Sequence, residues 1–134
     1  MADLVVTAAN VAKADGSVQT KNAGVAITAG ESVYVDAAGV LQLCDHASTA
    51  AEAACSGVAL CDAAIGQPCT YLTSGNYNPG AAVVVGTAYA VGAAAGGVAP
   101  IVDVGSGDFT TIIGVATTTS NIKLGLLPAG VAAA

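Results

Sequence analysis

The sequence predicts an all-β protein, a small β-barrel or β-sandwich with at most one short helix. Short runs rich in Val, Ile, Tyr and Thr recur every eight to fifteen residues, bounded by Gly, Asn, Asp or Pro. That spacing belongs to a multi-stranded β domain. A single stretch carries helix signals, and two parts of the chain echo each other at an offset near 55 residues.

In chain order, the apolar run Leu4-Val5-Val6 places a strand at Leu4–Thr7. Asp15-Gly16 signals a turn before a strand at Val18–Lys21. The next two strands are Ser32–Asp36 and Val40–Cys44, joined by the hairpin turn Asp36-Ala37-Ala38-Gly39, in which glycine supplies positive φ. Ala47–Ala54 is the one helix expected, about two turns long, with Ser48 and Thr49 as caps and Glu52 early. Gly57–Cys61 and Cys69–Thr73 follow as strands. Val83-Val84-Val85 places a strand at Ala82–Val85, and Gly86 separates it from Ala88–Val91. Gly96-Gly97 fits a turn, and Thr110–Thr117 and Asn121–Leu127 complete the series.

The echo starts at Gly30-Glu31-Ser32-Val33-Tyr34-Val35 and leads through Ser56-Gly57-Val58-Ala59 to Tyr71-Leu72-Thr73-Ser74-Gly75. Its second copy starts at Gly86-Thr87-Ala88-Tyr89-Ala90-Val91 and leads through Ile113-Gly114-Val115-Ala116 to Leu126-Leu127-Pro128-Ala129-Gly130. Compositional bias toward Ala, Gly and Val could produce part of the match. Units of this size cannot bury their faces alone, so two of them would pack as a pseudo-symmetric barrel or sandwich. Residues 1–22 form an N-terminal arm or first strands, and residues 23–134 form one β-rich domain with similar halves at about 24–79 and 80–130. The first segment has two readings: an arm adding a strand to a neighbouring subunit, or the first strand of the same barrel. Leu4, Val5 and Val6 are the candidate interface residues.

Composition narrows the function. Of 134 residues, 9% are charged and the net charge is −6, where a soluble domain carries about 25% charged residues. A 12.7 kDa chain has roughly 6,000 Å² of folded surface to cover. Three basic and nine acidic residues cannot cover it, so small and polar side chains form most of the exterior. Such a surface suits contact with other subunits. Val, Leu, Ile and Phe make up about a quarter of the chain, above the roughly 20% below which disorder is the better reading.

No arginine is present, and Lys13, Lys21 and Lys123 are scattered, which excludes the clustered cations that nucleic acid requires. An anionic membrane surface is disfavoured on the same ground. Ala63 to Val102 carries no charge, but its glycines, Pro100, scarce Leu, Ile and Phe and lack of flanking cations argue against a membrane span. The start, Met1-Ala2-Asp3-Leu4, lacks the basic region of a secretory signal, so the protein is expected to stay where it is made.

Chemistry is sparse. Cys44, Cys55, Cys61 and Cys69 show no CxxC spacing, and buried thiols, disulfides and a metal site all stand as readings. Cys44, His46, Cys55 and Cys61 are the set that would hold zinc, although a loop histidine facing solvent is the simpler account of His46. Asp36, Asp45, Asp62, Asp103 and Asp108 sit mostly beside Gly or Ala, where aspartate caps its own turn. No catalytic residue and no cofactor site is assigned, and an enzyme is not expected.

Several stretches resemble the small capsid decoration, or cement, proteins of tailed bacteriophages. They are Gly86-Thr87-Ala88-Tyr89-Ala90-Val91, Gly96-Gly97-Val98-Ala99-Pro100, Gly107-Asp108-Phe109, Gly114-Val115-Ala116 and Ile122-Lys123-Leu124-Gly125-Leu126. Ala29-Gly30-Glu31-Ser32-Val33-Tyr34-Val35-Asp36 and Gly57-Val58-Ala59-Leu60 match in style, so the resemblance covers roughly residues 24 to 130. The cysteine cluster and the alanine-rich stretch at 47–54 depart from it. The resemblance implies a homo-oligomer, often a trimer, bound to the major capsid protein lattice on the outside of the virion and stabilising the head. A tail or fibre component and a small metal-binding module are the alternatives.

Overall fold

The computed structural model describes residue 6 and residues 10–44, 55–92, 96–101 and 109–132, with backbone alone at 109–110 and 127–132. The fold is all-β, a curled antiparallel sheet in the form of a half-barrel. Its strands are β1 (Val11–Lys13), β2 (Ser17–Asn22), β3 (Ser32–Val35), β4 (Leu41–Leu43), β5 (Gly57–Ala59), β6 (Pro68–Pro79), β7 (Ala88–Val91), β8 (Val98–Pro100), β9 (Phe109–Ala116) and β10 (Ile122–Ala132). They lie in the order β4-β3-β5-β6-β10-β9-β7-β8, with β1 and β2 also paired to β6.

The 12-residue β6 holds the sheet together. Val18 and Val58 both pair with Leu72, while Lys13 and Ile122 both pair with Tyr77. β1 and β2 therefore run in line along one edge of β6, and β5 and β10 share the other. The in-line pair breaks where Gly16 (φ 107°) faces Gly75 (φ 109°). A Cβ on Gly16 would strike Ser74 O, and one on Gly75 would strike Asp15 O, so the two backbones can pass only as glycines. Asp15 Oδ1 accepts the Asn76 N–H at 2.9 Å beside this crossing. Within the first segment, β1 and β2 pair with β6 of the same chain.

The strand order reads outward from the β6–β10 pair as the same unit twice. β6-β5-β3-β4 on one side matches β10-β9-β7-β8 on the other. Registers agree at the following pairs. In the hairpins, Val33 opposite Leu43 and Val35 opposite Leu41 match Tyr89 opposite Pro100 and Val91 opposite Val98. Val33 opposite Gly57 then matches Tyr89 opposite Gly114, and Ala59 opposite Tyr71 matches Ala116 opposite Ile122. Loop hydrogen bonds repeat too. The Gly30 and Gly86 N–H groups donate to Ala59 O and Ala116 O, each at 2.8 Å. The Ala59 and Ala116 N–H groups donate in return to Glu31 O at 2.9 Å and Thr87 O at 3.0 Å. The sequence echo holds for Gly30 with Gly86 and for Gly57 with Gly114. It fails at its third member, because Tyr71 corresponds to Ile122 and not to Leu126: the second unit reaches its last strand through a shorter connection.

Two apolar clusters follow from this repeat. Ile27, Val33, Leu41, Ala59 and Tyr71 form the smaller one within the first half. Their counterparts Val83, Tyr89, Val98, Ala116 and Ile122 belong to the larger one, which also takes Val58, Leu72, Cys44 and Cys55 from the first half. At about 2 kcal/mol for each large side chain removed from water, this shared cluster ties the halves together. Period-2 alternation distributes the residues, since Val58 and Leu72 enter one cluster while Ala59 and Tyr71 enter the other.

Most expected strands are present within a residue or two. Cys69–Thr73 proves to be the start of the longer β6 and Asn121–Leu127 of the longer β10, and β1 and β8 were not anticipated. Ala82–Val85 is not a strand. There Val83 is buried while Val84 and Val85 face outward, and the Val83 N–H bonds to Thr119 O at 3.0 Å as the chain enters a turn. The expected turn at Asp36 is formed. Asp36 Oδ1 accepts the Ala38 and Val40 N–H groups at 2.9 and 3.2 Å, and Gly39 has φ 81°. The helix expected at Ala47–Ala54 lies outside the described residues, as does Leu4–Thr7 except for Val6, which is in no strand.

Candidate functional site

The two halves carry the same turn ahead of their hairpins, Thr28-Ala29-Gly30-Glu31 and Val84-Val85-Gly86-Thr87. Each closes when its fourth N–H donates to its first carbonyl, at 3.2 Å for Glu31 to Thr28 and 3.1 Å for Thr87 to Val84. Each has a glycine third with positive φ, 92° and 81°, the pattern of a type II turn.

The first turn is covered over Ala29 and Gly30, while Thr28 is exposed. Val6 Cγ1 and Val11 Cγ2 lie 2.7 and 3.0 Å from where a Cβ on Gly30 would stand. Ala29 is 5% exposed, and its N–H donates to Asp62 Oδ1 at 2.8 Å. Glu31 Oε1 accepts the Thr28 N–H at 2.6 Å, and half-burial of the carboxyl raises its pKa against the pull of that bond, with Asp62 adding to the rise.

The second turn is bare. No described residue lies within 4 Å of the Cβ position on Gly86, and Val84 and Val85 are 66% and 55% exposed. One exposed valine needs no explanation. Two adjacent ones, on a turn whose twin exposes Thr28 but covers Ala29 and Gly30, make an apolar candidate contact face. The turn is also held in place, because the Val84 N–H donates to Tyr89 Oη at 3.0 Å. A rigid face loses little conformational freedom on docking. Leading up to it, Gly80, Ala81 and Ala82 line an open cleft with Asn10, Asn78, Thr119 and Ser120, without a charged group among them.

The residues singled out in the sequence fall elsewhere. Val6 is half-buried over Gly30 of its own chain, while Leu4 and Val5 lie outside the described residues. Cys44 and Cys55 sit in the larger cluster and Cys61 packs against the smaller, so the three thiols are not brought together; His46 lies outside the described residues. Among the described residues no three His, Cys, Asp or Glu side chains gather as a metal site would require. Burial raises the Cys44 thiol pKa, and neighbouring Cys55 adds to the rise. Asp36 is held low by Gln42, whose Nε2 donates to it at 3.0 Å, and by the turn amides. Asp36 and Asp62 thus serve the backbone; Asp45, Asp103 and Asp108 lie outside the described residues. No described helix is long and apolar enough to cross a membrane.

Sequence reasoning missed Val84 and Val85 by reading them as a strand. The signal was there: once Gly86 is aligned with Gly30, the two valines fall on Thr28 and Ala29 of a turn. In comparison with known proteins, no family model and no curated sequence matches the chain.

Proposed function

We propose that this chain is a structural virion protein that binds the outer surface of a tailed-phage head and stabilises the capsid lattice, without catalysis. Its partners are the major capsid protein lattice and further copies of itself, as a trimer in keeping with the sequence resemblance. The bare Val84–Val85 turn carries this reading: it is a rigid apolar contact next to a cleft of small, uncharged groups. The exterior supports it, with 5924 Å² of surface served by three basic and nine acidic residues. Contacts of this kind are individually weak. Repeated over an oligomer on a lattice they act together, because each bound point raises the effective concentration at the next.

The test is to add the purified protein to phage heads that lack it, then heat them. Saturable binding to the head exterior and DNA release at a higher temperature are expected. Attachment to tails alone, or to neither structure, would overturn it.

A further inference from the structure

We infer that Cys61 and Cys69 are a thiol pair that closes into a disulfide when a low-molecular-weight disulfide reaches the native protein. The inference is independent of the proposed capsid role.

The register sets the geometry. Val58 pairs with Leu72 and Ala59 with Tyr71. Past the end of β5 the Leu60 N–H donates to Thr70 O at 2.9 Å, which brings Cys61, at a bend, alongside Cys69 on β6. The two Sγ atoms are 4.0 Å apart. Closing the pair takes the sulfurs from there to the bonded distance of about 2.05 Å. The Thr70 N–H, donating to Cys61 Sγ at 3.4 Å, holds that sulfur toward its partner.

Access sets the order of events. Cys61 is partly exposed and Cys69 is buried, so the reagent meets Cys61 first; burial pushes the Cys69 thiol up to about 12, which favours the same order. The Cys61 thiolate attacks one sulfur of the reagent disulfide, breaking its S–S bond and releasing one thiol equivalent. Cys69, losing its proton, then attacks the Cys61 sulfur of the mixed disulfide and expels the second. The two cysteines lose two protons and two electrons, and the reagent disulfide gains them as two thiols. Cys44 and Cys55 are shut away from this exchange, at 0% and 6% exposure, with the Cys55 thiol donating to Gly57 O at 3.0 Å. The new bond would clamp the loop that carries the exposed Ile65.

The experiment incubates the reduced, folded protein with oxidised glutathione, quenches it in acid, then denatures, alkylates and maps it by mass spectrometry. The expected product has lost two hydrogens, links Cys61 to Cys69, and is alkylated at Cys44 and Cys55. Its thermal midpoint rises by on the order of 5 °C, and dithiothreitol reverses the rise. Cys69→Ser, checked for folding by circular dichroism, should stop at one glutathione on Cys61. Four alkylated cysteines, a link between any other pair, or a wild-type adduct that never closes would overturn the inference.

Discussion

Gly57 on β5 and Gly114 on β9 occupy the same point of the two halves, each pressed against the carbonyl of the next strand. A Cβ would strike Leu72 O in the first case and Lys123 O in the second. Gly57→Ala and Gly114→Ala should therefore each lower stability by about 2–3 kcal/mol. Gly39→Ala meets open space and violates only its positive φ, so it should cost about 1 kcal/mol. Urea denaturation at constant m-value reads all three; if the first two are no worse than the third, the equivalence of the halves is wrong.

Asp36 makes the first hairpin sensitive to acid. Its carboxyl is held below the ordinary value of 3.8 by Gln42 first and then by the turn amides. A carboxylate with a depressed folded pKa contributes stability above its unfolded pKa and loses it as pH falls through the folded value. Asp36→Ala should thus be less stable than wild type at pH 7 and approach it near pH 2. A difference that stays constant across that range would exclude the carboxylate as the cause.

Glu31 works in the opposite sense. Desolvation raises its carboxyl above 4.5, so the charged form is a cost that is present at neutral pH and fades as pH falls through the folded value. Gln keeps an acceptor for the Thr28 N–H and removes the charge. Glu31→Gln should be at least as stable as wild type at pH 7, with the advantage gone by pH 3.5. Marked destabilisation at pH 7 would show that the charge itself is needed there.

Tyr77 Oη is fully buried and has no hydrogen-bond partner among the described residues. Removing an unsatisfied buried hydroxyl recovers its desolvation cost. Tyr77→Phe should be neutral or up to about 1 kcal/mol more stable by denaturant titration. A loss of 1 kcal/mol or more would mean that the hydroxyl is partnered.

The β class, the Asp36–Gly39 turn and two of the three members of the repeat were legible because period-2 runs and glycine turns are local signals. The strand expected at Ala82–Val85 was not real, since three valines look alike whether they pair in a ladder or ride a turn; only the partner of Val83, Thr119, decides. The third member of the echo misled because connection length differs between the halves, and residue spacing alone cannot show that Tyr71 and Ile122 share a place. The exposure of Val84 and Val85 was hidden for a related reason: it depends on no described residue folding back over Gly86 as Val6 does over Gly30.

The measurement closest to the central claim compares wild type with the Val84→Asp, Val85→Asp double variant in binding to heads that lack this protein. Both side chains are exposed, so the variant should fold and melt like wild type. Its affinity for the head exterior should fall at least about tenfold, 1.4 kcal/mol, while Ile65→Asp, on a different loop, binds normally. A double variant that decorates heads as fully as wild type would contradict the account.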